Sequence, residues 1–465
     1  MSEICALSAS ELGRLITTGK LSSREVVDAH LKRAEVINPT INAITDLQTD
    51  KARESAIEAD NALRLGKPAG ALHGVPITVK SSIAARGCRH ECGTPLRHGQ
   101  VADEDASLVA KLKQNGAIVL GTTNVPEFLM AYETDNTIYG RTDSPLNPDF
   151  TPGGSSGGCS AAVAAGCSAG SFGSDAGGSV RVPAHFCGLC GLKPTPGVIS
   201  RNGHWPAVAG PSTTLATVGP IVKTAEDLDL FLELTMGPDA GDISSLPGLS
   251  PAPPPDGGLR ELRIGWFDHA WNTPVTPETR VAVQDAARAL KERGFTVERM
   301  ELRGLERAPD TWWQLFGICL KTLIESSVPE GYRLHPLSYE AMAGDDEETE
   351  TTYRDLLMAW VLQDQLRFKF GQQVRNYPIL LCPVAAVPAF RHGERQWSVA
   401  GELVGYPGAF VYSQVFNLLG APAATVPAGA SPDGLPIGVQ IVAGPNQDRA
   451  VTAVARELEA GLQGR

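Results

Sequence analysis

Apolar positions along the chain follow two periods, and the switches between them outline the elements. Between residues 8 and 65 the spacing is helical: Val26, Val27, Leu31 and Ala34 fall on one face. Ser8 with Glu11, and Ser22 with Glu25, fit the capping box, in which a side-chain oxygen and a carboxylate three residues later satisfy each other's backbone amides. Asn38-Pro39 predicts a helix break, and Ala52, Ala56, Ala59 and Leu63 predict a further helix to Gly66. The expectation for 8–65 is a purely helical layer. The period then drops to two. Val75, Ile77 and Val79 alternate as a strand that begins near Pro76 and ends at Lys80. A helix over Ser107 to Gln114 and a strand over Ala117 to Gly121 follow. Further strands are predicted at 215–222, Leu262 to Phe267, Ile379 to Val384, Ala423 to Val426 and Val439 to Val442. Helices are predicted from Thr224, capped with Asp227, to Leu234 and from Pro277 to Gly294. Residues 305 to 377 read as mostly helical, with Trp312, Trp313, Phe316 and Trp360 as core or pocket wall. Helices and strands in alternation predict an α/β layered protein. With no internal repeat and no composition break, one domain over 1–465 is the simplest architecture.

Composition narrows the class. The 465 residues are 42% hydrophobic and 20% charged, as in an ordinary globular protein, and the formal net charge is −12 with no basic block. That speaks against a nucleic-acid partner, whose phosphates need a basic face. MSEICALSAS lacks the basic start and apolar run of a signal peptide, and no stretch approaches about 18 apolar residues, so neither export nor a membrane span is expected. A cytoplasmic protein is the default. The Gly, Pro and Ser content from Gly237 to Gly258 predicts a surface excursion, and Asp345 to Glu350 a solvated acidic loop. Nine cysteines cannot all pair. Cys88 and Cys92, with His90 between them, and Cys187 and Cys190 together suggest a four-ligand zinc site. Cys187 and Cys190 sit in an apolar run, however, where a thiol behaves as a small hydrophobe. No metal and no cofactor are expected.

The stretch from Thr151 to Pro196 concentrates the chemistry. Its glycines and serines are interrupted by apolar segments, which separates it from a flexible linker. Two serines compete as nucleophile. Ser156, in Gly154-Ser-Ser-Gly-Gly158, satisfies G-x-S-x-G, the elbow of α/β-hydrolases, but an elbow follows a buried strand and Asn147 to Pro152 is turn chemistry. His185, His204, His269 and His392 stand in no context that picks out a base. Ser179, in Ser174-Asp-Ala-Gly-Gly-Ser-Val-Arg181, follows two glycines whose N–H groups are unobstructed and can converge on an oxyanion. A hydroxyl is a weak nucleophile until a base takes its proton. With no histidine placed for this, a lysine kept neutral by desolvation could serve. Lys80 alone would be read as a solvated charge at a strand end. A phosphate-binding module is a third reading, but no G-x-x-x-x-G-K-[ST] sequence is present.

Taken together, Gly74-Val-Pro-Ile-Thr-Val-Lys80, Thr123-Asn-Val-Pro-Glu127, the 153–158 loop, 173–181, Gly191-Leu-Lys-Pro-Thr-Pro196, Gly420 to Pro427 and Gly434 to Gln440 resemble the amidase signature family. The spacing from Lys80 through Ser155 to Ser179 fits as well, and the likeness weakens between about 237 and 410. The resemblance implies a twisted, mostly parallel central sheet covered by helices on both faces. It implies a signature core over 72–235, and a variable linker and helical excursion at about 237–377 that shapes the pocket. It makes Ser179 the nucleophile, Ser155 the bridging serine behind a cis peptide bond, and Lys80 the base. The N–H groups of Ala176, Gly177, Gly178 and Ser179 would form the oxyanion hole, and Ser156, Asp175 and Arg181 the supporting hydrogen-bond shell. The implied activity is hydrolysis of aryl or fatty acyl amides, with esters and carbamates as further substrates, by a monomer or homo-oligomer acting on a small-molecule amide. Pro126-Glu127-Phe128 resembles stand-alone acylamidases. Val182 stands where the A subunit of the tRNA-dependent amidotransferases, which works with protein partners, usually carries Gln; that protein is the alternative. Leu129 and Met130 are candidates for an apolar acyl pocket.

Overall fold

The computed structural model describes residues 3–242, 244–245, 251–252, 258–343 and 351–463. The acidic cluster Asp345 to Glu350 and most of the proline run near 251–255 lie outside the described residues. Thirteen strands are described: β1 (Ile44–Leu47), β2 (Pro76–Lys80), β3 (Ile118–Thr123), β4 (Gly170–Asp175), β5 (Cys190–Lys193), β6 (Thr217–Val222), β7 (Arg263–Trp266), β8 (Thr296–Arg299), β9 (Ile379–Pro383), β10 (Gln396–Val399), β11 (Glu402–Gly405), β12 (Ala423–Ala430) and β13 (Pro436–Ala443). Eleven form one sheet in the order β1-β3-β2-β4-β6-β5-β12-β13-β9-β7-β8, and β10 with β11 makes a separate hairpin. The expected α/β class with a helix-covered central sheet is present. Parallel pairing lies in two blocks, β3-β2-β4 and β9-β7-β8. The strands that join the blocks pair antiparallel.

Alternation along the central strands explains how one sheet supports two cores. Successive residues of a strand point to opposite faces. In β9, Ile379 and Leu381 belong to one apolar core while Leu380 and Cys382 belong to the other; in β12, Ala424 and Val426 separate from Ala423 in the same way. The first core is closed by helices Ala225–Thr235, Pro277–Glu292 and Asp448–Gln463, which pack on β12 or β6 and on one another. Helices Gly157–Ala164 and Arg181–Cys187 pack against β2, β4, β5, β12 and β13, and bring the glycine-rich loops with them.

The N-terminal region departs from a purely helical layer. Both capping boxes form, at Ser8 with Glu11 and at Ser22 with Glu25. Pro39, however, lies inside a helix that runs from Ser23 to Ile41. A proline this close to a helix end forfeits one backbone bond near groups that are unpaired anyway. The stop falls at Asn42, whose φ of 48° is left-handed, while the Asn38 carboxamide accepts from the amides of Ala43 and Ile44. The next residues form β1, an edge strand antiparallel to β3. Four residues are too few for alternation to register in the sequence. Among the described residues, no helix is long and apolar enough to cross a membrane.

Candidate active site

Lys80 ends β2, a strand buried along its whole length, and its side chain is 0% exposed. It is therefore no solvated charge. Val79 pairs with Phe172, which sets the lysine beside the carboxyl end of the parallel neighbour β4. Nζ donates to Ser155 Oγ at 2.8 Å, to Ser174 Oγ at 3.1 Å and to the Ser174 carbonyl at 3.4 Å. Burial pulls the ammonium pKa down to about 8, with Cys159, Cys92 and Asp175 opposing part of that shift. Desolvation penalises the charged form, so about a tenth of Nζ is a free base at pH 7 and about half at pH 8.

The loop before helix Gly157–Ala164 carries Ser155, and the Gly154–Ser155 peptide bond is cis. Gly154 must be glycine because a Cβ there would meet the carbonyl oxygens of Glu133 and Ala131 at 2.5 and 2.6 Å. Ser156 does not stand as an elbow nucleophile. It is fully buried, no strand precedes it directly, and its Oγ donates to the Ser174 carbonyl at 3.4 Å. Nor does His185 stand free as a base, since both ring nitrogens are engaged, by the Val387 carbonyl and the Gly438 amide.

Ser179 sits in the turn between β4 and helix Arg181–Cys187. Asp175, the last residue of β4, organises that turn. It accepts from the amides of Gly178 (2.8 Å) and Val180 (3.1 Å), and from Arg181 Nε (3.0 Å) and Nη2 (2.9 Å). Burial alone would raise the Asp175 pKa, but the Arg181 guanidinium outweighs it and holds the carboxyl well below the usual range. Arg181 is fully buried and donates onward to Gln440 Oε1, the Ser413 carbonyl and Asn417 Oδ1. The pair thus ties the turn to the second half of the chain. One expectation is corrected here. The Gly178 N–H is committed to Asp175 and is not free to meet an oxyanion, which leaves Ala176, Gly177 and Ser179.

Two residues outside the glycine-rich stretch orient peptides of this turn. Trp312 Nε1 donates to the Ala176 carbonyl at 2.8 Å, and the Tyr132 hydroxyl donates to the Gly177 carbonyl at 2.8 Å. Within a planar trans peptide the carbonyl and the following N–H point opposite ways. Trp312 therefore turns the Gly177 N–H away from itself, and Tyr132 does the same for Gly178, toward Asp175. Gly178 adopts φ +121°, and a Cβ on Gly177 would meet Trp312 Cζ2 at 2.5 Å, so neither position accepts a side chain. Gln414 supports Tyr132 by donating to its hydroxyl at 3.0 Å. Sequence reasoning missed Ser174, Tyr132 and Gln414 as site residues and took Trp312 only as core or pocket wall.

Two cavities meet at Ser179. One, of about 650 Å³, is also lined by Ser155, Ser174, Phe128, Leu129 and Phe316. The other, of about 520 Å³, is lined by Tyr132, Met130, Trp313, Tyr406 and Gln414, and shares Leu129 and Phe316. Leu129 therefore faces both and Met130 the second only. Phe128 and Leu129 have φ of 51° and 65°, uncommon for bulky residues and found where surrounding structure fixes the backbone. The wall opposite them comes from a π-helical turn, Trp313–Ile318, within the helical excursion. The cysteine pairs are not gathered. Cys187 donates to the Pro152 carbonyl and Cys190 to Glu459, while burial pushes the Cys88 thiol up to about 11 and Cys92 up to about 12. Among the described residues, no group of three or more His, Cys, Asp or Glu is placed to hold a metal ion.

Comparison with known proteins gives a family match and structural neighbours. The sequence profile of the Amidase family covers residues 25–452. The A subunit of the glutamyl-tRNA(Gln) amidotransferase of Thermosynechococcus vestitus is 30% identical, over 97% of this chain and 96% of its own. Among solved structures, a bacterial aryl acylamidase belonging to the amidase signature enzymes superposes with a TM-score of 0.85 at 26% identity, covering 98% of this chain and 96% of that one. A 6-aminohexanoate cyclic dimer hydrolase superposes with a TM-score of 0.83 at 28% identity, covering 99% and 98%.

Proposed function

The chain belongs to the Amidase family, and from that premise we propose that it cleaves amide bonds through an acyl-enzyme on Ser179, with Ser155 and Lys80 moving the proton. The observation that carries this reading is the fully buried Lys80 Nζ, 2.8 Å from the Oγ of Ser155, which lines the same cavity as Ser179. Neutral Nζ offers its lone pair to the Ser155 O–H, and Ser155 takes the proton of Ser179 as its Oγ attacks the carbonyl carbon. The negative charge that develops on oxygen is met by the amides of Ala176, Gly177 and Ser179. Collapse breaks the C–N bond while Ser155 hands its proton to the departing nitrogen and regains one from Lys80. Water then attacks the ester by the same relay and releases the acid.

The lining of both cavities favours amides flanked by uncharged, apolar groups: aryl or fatty acyl amides, with esters and carbamates accepted by the same chemistry. Two charged side chains line the larger cavity, and both are occupied. Asp175 is held by Arg181, while Arg201 pairs with Asp242 at 3.5 Å and donates to the carbonyls of Thr213 and Ala216. A free amino acid would bring an ammonium and a carboxylate that find no uncommitted partner there, and an unpaired buried charge is costly. The second reading, an amidotransferase component that releases ammonia from glutamine alongside protein partners, is supported by the names of the curated relatives. Those names weigh more toward it than toward a stand-alone acylamidase. The test is a hydrolysis panel on the purified chain alone, with acetanilide, hexanamide, a phenyl carbamate, a phenyl ester and glutamine. Turnover of the anilide and fatty amide without any partner supports the stand-alone enzyme. Glutamine as the sole substrate selects the amidotransferase component. No turnover of any amide by the chain alone overturns the stand-alone enzyme.

A further inference from the structure

Among the described residues sixteen large apolar side chains are exposed, and six of them stand on one helix, Tyr353–Asn376. The helix is anchored by its inner face. Ala359, Gln363, Leu366 and Phe370 are buried, and Gln363 and Arg367 donate to the Leu418 carbonyl. At about 100° per residue, Tyr353, Leu357, Trp360, Val361 and Phe368 fall on an outward arc of about 100°, with Met358 beside it. These six are between 41% and 82% exposed. Trp360, expected as core or pocket wall, thus stands on the outside. A helix that is apolar all round belongs in a buried setting. At these exposures the six offer roughly 700 Å² of surface, above the roughly 300–600 Å² of the largest apolar patch on an ordinary monomer. That is close to the ~800 Å² that each partner gives to a stable interface.

Charge and pattern say what covers this face. Helices that lie on lipid carry a polar face rich in lysine and arginine. Here the sequence leading into the helix, Asp345 to Glu350, is acidic, and Asp355 and Asp364 are exposed on the helix itself. The arc is instead complementary to itself. A two-fold axis sets an element against its own copy, so that residue i meets j and j meets i. An antiparallel pair centred between Met358 and Ala359 sets Leu357 of one copy against Trp360 of the other, and Tyr353 against Asp364, each twice. The Tyr353 hydroxyl then donates to the Asp364 carboxylate, the one acid on the arc, which has Arg367 at 4.0 Å and room for a further donor. We propose that the outer face of this helix joins two copies of the chain as an antiparallel helix pair. The proposal is independent of the acyl-enzyme reading, since none of the six residues lines either cavity.

Sedimentation of the purified chain tests it. At about 10 µM the wild type should have the mass of two chains. Leu357→Lys puts a charge into the centre of the pair twice and should weaken association by about a hundredfold or more, leaving the mass of one chain. Its far-UV circular dichroism should match the wild type, because the position is exposed in the single chain. Leu65→Lys, at the end of helix Thr49–Arg64 and 74% exposed, should keep the double mass. Tyr353→Asp brings like charges together and should weaken association by about tenfold, and adding Asp364→Lys should restore it. Within one chain the two positions are about 16 Å apart along the helix, so only a second copy can couple them. A wild type with the mass of one chain overturns the proposal. Its sedimentation with phosphatidylcholine vesicles would then name a lipid surface as the occupant. A double mass that survives Leu357→Lys, or a loss in Tyr353→Asp that Asp364→Lys does not restore, overturns it as well.

Discussion

The proposed reacting centre and the cavities around it are built by opposite means. The centre comes from three short segments, Lys80 at the end of β2, the 153–158 loop and the turn 175–181, whose positions follow from backbone. Parallel pairing of β2 with β4 sets the lysine against the turn, and a cis peptide bond precedes Ser155. Beyond the residues they share with the centre, the cavities take residues from 128–132, 201–218, 312–323 and 406–414, which meet only through tertiary packing. The contrast teaches where tolerance lies. Small groups approach to within hydrogen-bond distance in the centre, while the cavity walls are side chains that can be exchanged for others of similar volume.

The sharpest way to break the contrast is to remove chemistry and leave the cavities. Ser179→Ala takes away only the Oγ of a partly exposed residue. We expect hydrolysis of acetanilide to fall by about 10⁴-fold or more, as when the nucleophile of a serine triad is lost. Binding of an arylamine in the larger cavity should stay within about twofold, since Ser179 is one of many residues lining it and loses only its Oγ. Steady-state kinetics and calorimetry on the same preparation check both. Activity within tenfold of wild type would move the nucleophile away from Ser179.

A smaller effect separates the proton relay from the walls. Because the Lys80 pKa is lowered to about 8 and the neutral form is the base, kcat/KM should rise with pH through about 8 and level off above it. Below that point each pH unit costs about tenfold, so activity at pH 6 should be about a hundredth of the plateau. The same profile should appear for every substrate of the panel, whatever its fit to the cavities. A flat profile down to pH 6, or one that changes with the acyl group, would detach the pH dependence from the lysine.

How much of this was legible in the sequence follows the same division. Lys80, Ser155, Ser179, Asp175 and Arg181 were singled out because their motifs and separations resemble those of the amidase signature family; by itself Lys80 read as a solvated charge. Most strands whose sides are both buried were found as apolar runs. β4 and β5 were missed because Gly170, Gly173 and Gly191 dilute their apolar character. The Gly178 amide was misassigned because only the structure shows Asp175 reaching it first. Tyr132, Gln414 and Trp312 could not be assigned. Their roles depend on which group each reaches across the fold, between 45 and 282 residues away in the chain, and no local pattern encodes that.

Trp312 is where the two regions touch, and it gives the smallest and most discriminating prediction. It belongs to the substrate wall, stacked on Phe316 with ring centroids 5.0 Å apart, yet its Nε1 fixes the peptide that presents the Gly177 N–H. Trp312→Phe keeps an aromatic ring in the wall and deletes the donor to Ala176. Removing an oxyanion donor outright costs about 10²–10³ in kcat. Here the donor remains and only its aim is loosened, so we expect kcat to fall by about tenfold, or ~1.4 kcal/mol of transition-state stabilisation. KM for acetanilide should change by less than about twofold, because the ground-state carbonyl makes little use of that amide. If KM rises with kcat unchanged, Trp312 is wall alone and the Gly177 amide keeps its aim without it. If kcat falls and KM does not, a residue of the variable excursion positions the oxyanion site, and the boundary between exchangeable walls and fixed chemistry runs through one indole ring.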